Sequence, residues 1–564
     1  MWHALIAVLA DLWPLSTPDR PPLRRALGFL EWSVRPGDLQ AASFAGAFLL
    51  GLTGVLTNAL VGGTVGLVGG ACCLVAATLA LCAGRLVELL ARARRASALG
   101  AAPALLTRAT LRMRLRPAPE AAARFAGATA QGALARSLAG HVRRTANGPE
   151  TGLNAFASEW APWFPELERA CSLVESAGRQ PAADREATLD SARRAVLDGA
   201  RDRMSTFAAS IRGPITALYA FGVLLPLALV SLLPALDAAG MATSLSLIVL
   251  VYDLCLPAIV IAASVWLLAK RPVAFPPTVI ERSHPDVWTT RWQAIGAGLI
   301  AGGLAGWVAQ RLLGTWTGPL AAVGCGVGTA LLVAFSPMQS VRSEVRAVEA
   351  GLPDALSLIG RQVERGVATE QALDRVADEC PCATGTVFAS AARRQRRLGV
   401  DIESAFTGEN GALSTVPSDR AATGAALLAL SAREGRPAGT ALTSLGDHLE
   451  TLDEVEQETR RAVEQVTNTL STTAAVFGPL VGGATVALSA ALGHGGPLGG
   501  TTPVSAVGLA VGWYVLVLAV VLTALATGLT RGLDRSLVGY RIGLALVTAT
   551  ATYLTAFVGA GLFV

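Results

Sequence analysis

The chain has 564 residues, 52% of them hydrophobic and 15% charged, with a net charge of +5 and a mean hydropathy of +0.49. A soluble domain carries about 25% charged residues, so this composition excludes an ordinary water-soluble globule. Conventional nucleotide hydrolysis is excluded as well: a phosphate-binding loop needs Gly-Lys followed by Ser or Thr, and the only lysine, Lys270, stands between Ala269 and Arg271.

The N-terminal MWHALIAVLADLW lacks a basic n-region and a small-residue cleavage site, so residues 1–42 are expected to stay in the mature protein. Residues 41–84 hold no Asp, Glu, Lys or Arg, while 85–116 hold eight Arg and one Glu. Long apolar runs alternating with basic loops predict an all-α, polytopic membrane protein. Nine spans are expected, near 43–60, 63–84, 214–236, 243–269, 292–313, 318–337, 474–493, 504–529 and 539–562. The first two make a hairpin (43–84). Four lie within 214–337, around a basic loop at 270–291, and three within 474–564. Glycines recur every four residues at Gly62, Gly66 and Gly70 and at Gly298, Gly302 and Gly306. Such ladders make a smooth face for close helix packing, within the chain or against another apolar helix.

Arginine placement sets the orientation. With the N-terminus in the cytoplasm, the long segments 85–213 and 338–473 are cytoplasmic, as are the Arg-bearing loops. The opposite side receives DAAGMA, GTWTG and HGGPLGGTTP, which lack Lys and Arg. The C-terminus then ends outside.

Each long segment is roughly 130 residues, enough for a compact helical domain. In the second, Leu352, Leu356, Ile359 and Val363 share one face, opposite Arg361, Glu364 and Arg365. Gly366 is expected to end that helix and Thr369 to cap the next. A pattern of Gly, five residues, Ala, then Leu or Phe occurs three times: Gly366 to Ala372-Leu373, Gly399 to Ala405-Phe406, and Gly435 to Ala441-Leu442. A glycine closes one helix and a small residue beside a large one lets the next pack closely. The first domain has a related turn at Gly148, Ala155 and Phe156. Each domain runs out through a polar helix, with Arg201 and Arg203 or Arg460 and Arg461, into a span carrying Phe221-Gly222 and Pro226 or Phe477-Gly478 and Pro479. These parallels predict two duplicated cytoplasmic helical-bundle domains.

The hairpin GLPDALSLIGRQVERGVATEQALDRVA, the later GRPAGTAL, the exit into AAVFGPLVGGATVAL and the duplication resemble the F family of type II secretion, whose members include the platform proteins of archaeal pili and archaella. The likeness is strongest over 350–490 and weaker over 120–236. It implies an integral-membrane assembly platform under a growing filament, worked by a hexameric secretion-type ATPase, contacting pilin subunits, and most simply a homodimer.

The two domains differ in charge. Residues 85–212 hold 20 Arg and 12 acids, whereas 338–473 hold 14 Arg and 20 acids. They are expected to pair with each other or with complementary patches on the ATPase. The docking candidates are Arg108, Arg112, Arg114 and Arg116; Arg393, Arg394, Arg396 and Arg397; and the acidic run Asp447, Glu450, Asp453 and Glu454. Arg85, Arg92, Arg94 and Arg95 are expected against anionic lipid headgroups. Basic clusters without interleaved aromatics argue against nucleic acid. Asp253 stands alone in its span, facing a polar groove or a pilin, or else hydrogen-bonded to a neighbouring Ser or Thr.

No catalytic, cofactor or metal site is expected. The five histidines are scattered, and Cys380 and Cys382 have no second pair to complete a metal set. The cysteines of the apolar runs, Cys72, Cys73, Cys82, Cys255 and Cys325, are expected to be small buried hydrophobes rather than a disulfide framework. A membrane transporter or permease subunit is the rival reading, since duplication and a lone intramembrane acid occur there too.

Overall fold

The computed structural model describes residues 2–563 except 16, 18, 19, 62, 146–149, 239–244, 273–283, 285–290, 435, 436 and 495–503. Among the described residues every regular element is a helix. Eight of these helices are long and apolar enough to cross a membrane. Phe48, Leu229, Leu299, Ile300 and Trp307 point outward from them, a surface suited to hydrocarbon, where a helix satisfies its own backbone. The chain has the build of a multi-pass membrane protein. The remaining expected segment, 63–84, falls on the helix Gly63–Leu81, which lies back along Pro36–Val61. A Cβ on Gly70 would meet the Gly54 carbonyl oxygen at 3.0 Å. Gly62, the side-chain surroundings of Gly66, the turn glycines Gly148 and Gly435, and most of the loops 237–242, 270–291 and 494–503 lie outside the described residues.

Three helices run from the apolar layer into polar bundles. The first long helix is Ala182–Tyr219, continued by a π-turn, Ala220–Leu224, and by Leu225–Ala238. The second, Thr317–Glu364, is unbroken over 48 residues, about 72 Å at 1.5 Å per residue. The third is Pro437–Thr472, a π-turn Thr473–Phe477, then Gly478–His494. A hydrocarbon core is only about 30 Å thick, so each must project well beyond it.

The first polar bundle packs Ala83–Leu99, Ala102–Leu115, Pro119–Thr129, Ala133–Thr145, Gly152–Trp160 and Pro165–Ala177 against the first long helix, around Leu106, Phe156, Trp160, Phe164 and Val196. The second packs Thr369–Glu379, Ala383–Leu398, Ile402–Thr407 and Asp419–Glu434 against the polar ends of the other two, around Leu356, Ile359, Phe388, Phe406 and Leu442. The recurrent turns work as their residues require. Gly366 and Gly399 take φ values of 91° and 63°, left-handed positions that disfavour a side chain. Ala372-Leu373, Ala405-Phe406 and Ala441-Leu442 are all buried. One cap differs from expectation: Ala368 occupies it, and Thr369 is the first helical residue, buried with its hydroxyl 3.2 Å from that of Ser431. The tertiary hydroxyl contact displaces the capping role.

The second glycine ladder is used inside the chain. Gly298, Gly302 and Gly306 on Arg291–Leu313 face Gly326, Ala322 and Gly318 of the second long helix. That helix turns a second small-residue face, Gly324 and Gly328, toward Thr550 and Gly543 of Arg535–Phe563. It is thus gripped from two sides by backbones that only glycine lets approach.

The cysteines depart from expectation. Cys72 and Cys255 are exposed, Cys73, Cys82 and Cys325 are half-buried, and the fully buried thiol is Cys171 in the first polar bundle. Cys380 and Cys382 are joined as a disulfide, because the turn between Thr369–Glu379 and Ala383–Leu398 folds Cys382 N–H onto the Cys380 carbonyl at 2.8 Å.

Candidate functional site

The helix Ala102–Leu115 reads in sequence as a basic surface helix, yet it is buried on nearly every side. Leu106 and Met113 belong to the core of the first polar bundle and Leu111 to that of the second, so it is the strut joining them. Arg108, 4% exposed, reaches from it to Asp419–Glu434. Its Nε donates to Thr423 Oγ1 at 2.9 Å and its Nη2 to the Asp419 carbonyl at 3.3 Å. Burial holds its pKa below the ordinary value, partly offset by the Asp419 carboxylate, but a guanidinium stays charged there. Two more contacts cross the same boundary: Arg193 donates to Ser444 Oγ at 3.2 Å, and Arg201 pairs with Glu458 at 2.7 Å.

Thr107 and His448 form the buried centre of this interface. The Thr107 hydroxyl donates to the Pro103 carbonyl at 2.7 Å, so it accepts from His448 Nε2, which must carry the ring proton. Burial, then the facing Arg193, Arg114 and Arg420, push the His448 pKa down from 6.5 to about 3. The ring is neutral when folded and readily protonated when unfolded. Its contribution is therefore complete above pH 6.5 and is lost as pH falls toward 3, by up to about 1.4 kcal/mol per pH unit. Thermal unfolding of His448→Gln against wild type checks this: the variant is expected to be less stable at pH 7.5 and to lose less on acidification. Parallel pH profiles would refute it.

The expected docking residues divide. Arg108 is inside the bundle interface, and Arg114 is held at 2.7 Å by Asp190, which also holds Arg193. Neither is on a surface that another protein can reach, because the strut helix satisfies them within the chain. Arg112 is half-buried and Arg116 exposed. Arg393, Arg396 and Arg397 are exposed on Ala383–Leu398, with Arg394 half-buried and Arg396 paired to Asp374. Asp447, Glu450 and Glu454 are exposed on the third long helix, while Asp453 pairs with Arg420 at 3.6 Å. Arg95, expected against lipid, instead lies between the rings of Phe29 and Trp163, at 4.6 and 4.1 Å. A cation held over two aromatic faces is attracted by the quadrupole of each ring.

Within the apolar layer, backbone and tyrosines form a second arrangement. Three π-turns, Ala220–Leu224, Leu250–Cys255 and Thr473–Phe477, each end two residues before a proline: Pro226, Pro257 and Pro479. Proline has no N–H and its ring crowds the carbonyl four residues back, and a widened turn relieves the crowding. The proline is what the turns share, since Phe221-Gly222 and Phe477-Gly478 sit at different places in theirs. Pro226 leaves the Gly222 carbonyl without its α-helical donor, and the buried Tyr514 hydroxyl donates to it. Tyr252 donates to the Pro226 carbonyl at 2.6 Å and meets Tyr514 edge to face. Sequence reading missed these tyrosines, although all five in the chain fall within the expected spans, which is a usable signal for buried hydroxyls. Asp253 lies in the middle π-turn, half-buried, with Oδ1 buried and without a hydrogen-bond partner among the described residues.

No family model, no curated protein and no solved structure matches this chain.

Proposed function

We propose that the chain is the integral-membrane assembly platform of an archaeal-type type IV pilus or related secretion system, converting movement of a cytoplasmic hexameric ATPase into pilin extraction. In this reading it has nine spans, Gly63–Leu81 being the ninth. Its N-terminus is cytoplasmic and its C-terminus outside, and bundle plus spans form a tandem duplication. The observation that carries the proposal is mechanical: long helices run from each polar bundle into the apolar layer, and such a helix passes displacement along its length. The buried strut Ala102–Leu115 makes the two bundles move together. The likeness of residues 350–490 to the F family supplies the kind of machine.

Docking then belongs to the exposed Arg393, Arg396 and Arg397, with Arg394 beside them, and to the acidic edge at Asp447, Glu450 and Glu454. Capture of the host's secretion ATPases by the detergent-solubilised protein tests the role. Changing all four arginines to Ala is expected to weaken capture about tenfold, the loss of about 1.4 kcal/mol of surface charge attraction spread over the cluster. Capture that the change leaves intact moves docking to the acidic edge. No capture of any such ATPase ends the platform reading. Asp253, with its unpartnered oxygen in a π-turn, favours a transporter or permease subunit as the second reading. Solute flux into proteoliposomes that Asp253→Asn abolishes would establish that alternative.

A further inference from the structure

Five arginines from four helical segments converge at one end of the cleft between the polar bundles. Arg271 lies two residues beyond the apolar helix Leu256–Ala269, and Arg531 ends the apolar helix Val504–Arg531. Arg342 and Arg346 sit where the second long helix leaves the apolar layer, and Arg460 faces them from the third. All five line a single cleft of about 1730 Å³.

Their counter-charges are too few. Asp534 is taken by Arg342. Glu456 is shared between Arg460 at 3.0 Å and Arg420 at 2.6 Å. Glu349 accepts from Ser418 at 2.6 Å and faces Arg346, and Glu464 faces Arg531, so four carboxylates stand against these five arginines with Arg420 and Arg541 beside them. Among the described residues Arg271, Arg346 and Arg531 make no salt bridge, and the Nε atoms of Arg271 and Arg531 are buried without a hydrogen-bond partner. Burial and then Arg460 bring the Arg271 pKa down to about 10, and burial, then Arg460 and Arg342, lower that of Arg346 against the opposing pull of Glu456 and Glu349. Arg541 adds a further positive charge beside Arg531. Like charges crowded into a partly dry pocket are costly unless an anion completes them. Guanidinium forks match phosphate oxygens in two-point contacts.

We propose that this arginine cluster binds a phosphate ester. The ends of two apolar helices set it at the level of the bilayer surface, which favours the headgroup of an anionic phospholipid as the source. The inference is independent of the assembly role.

Native mass spectrometry of the intact, detergent-solubilised protein tests it with three probes: phosphatidylglycerol, phosphatidylcholine with the same acyl chains, and glycerol 3-phosphate. Phosphatidylglycerol is expected to be retained over phosphatidylcholine. Arg346→Gln with Arg531→Gln is expected to weaken that retention about 25-fold, at about fivefold per arginine. Arg375→Gln, exposed on the helix Thr369–Glu379, is expected to leave it unchanged. Arg346→Lys, which keeps charge and loses the fork, should fall between, and it reads the same site should the double variant not fold. Glycerol 3-phosphate binding as tightly as the lipid would keep the phosphate site and remove the lipid as its source. Equal retention of the two lipids without glycerol 3-phosphate binding, or a folded Arg346 variant that binds like wild type, would overturn the proposal.

Discussion

Gly302→Leu is expected to prevent the apolar bundle from forming, while Gly303→Leu, one residue on, changes almost nothing. A Cβ at Gly302 would lie 2.5 Å from the Ala322 carbonyl oxygen and 2.9 Å from the Gly326 Cα, and backbone cannot swing aside as a side chain does. A Cβ at Gly303 meets nothing within 4 Å. Overpacking costs about 1–3 kcal/mol where side chains can yield, and a leucine against backbone belongs at or above that upper end. An outward-facing change stays within about 0.5 kcal/mol. Monodispersity on size exclusion and the thermal midpoint in detergent read both variants. Equal behaviour would mean that the two helices do not approach at Gly302 and that the ladder serves another protein's helix instead.

That contrast shows which parts of the architecture sequence can reveal. Apolar helices are legible because hydrocarbon offers the backbone no partners, so a span must be long, helical and nearly uncharged. Turns at Gly366 and Gly399 are legible for a local reason: a left-handed residue is cheapest as glycine. The strut Ala102–Leu115 was not legible. Four arginines in ten residues read as a solvated face, and nothing local tells that Arg108 will find Thr423 and the Asp419 carbonyl more than 300 positions away. The bonding of Thr107 to His448 is equally invisible, since neither residue type announces burial. Glycine ladders fall between these cases. Their spacing predicts close packing, but only the outward neighbours Leu299, Ile300 and Trp307, exposed on the same helix, tell which face meets protein and which meets lipid.

Tyr514→Phe is expected to cost about 1–2 kcal/mol, because the Gly222 carbonyl would lose its donor where no water replaces it. Double-mutant cycles within membranes average nearer 0.6 kcal/mol, since the unfolded chain finds other partners. A carbonyl already deprived of its helical donor by Pro226 has fewer of those. This makes the cause testable as well as the size. Pro226→Ala restores an N–H four residues beyond Gly222, so the helix can satisfy that carbonyl itself. In the Pro226→Ala background Tyr514→Phe should cost little, and the difference between the two backgrounds is the coupling between tyrosine and proline. Unfolding midpoints of the four proteins in mixed detergent give that value. An equal cost in both backgrounds would mean that the Tyr514 hydroxyl acts independently of Pro226, since phenylalanine keeps the ring that packs against Tyr252. A coupling of the expected sign would make the π-turn at Ala220–Leu224 a joint held from outside its own helix, so that movement of the first polar bundle reaches Val504–Arg531 through one hydroxyl.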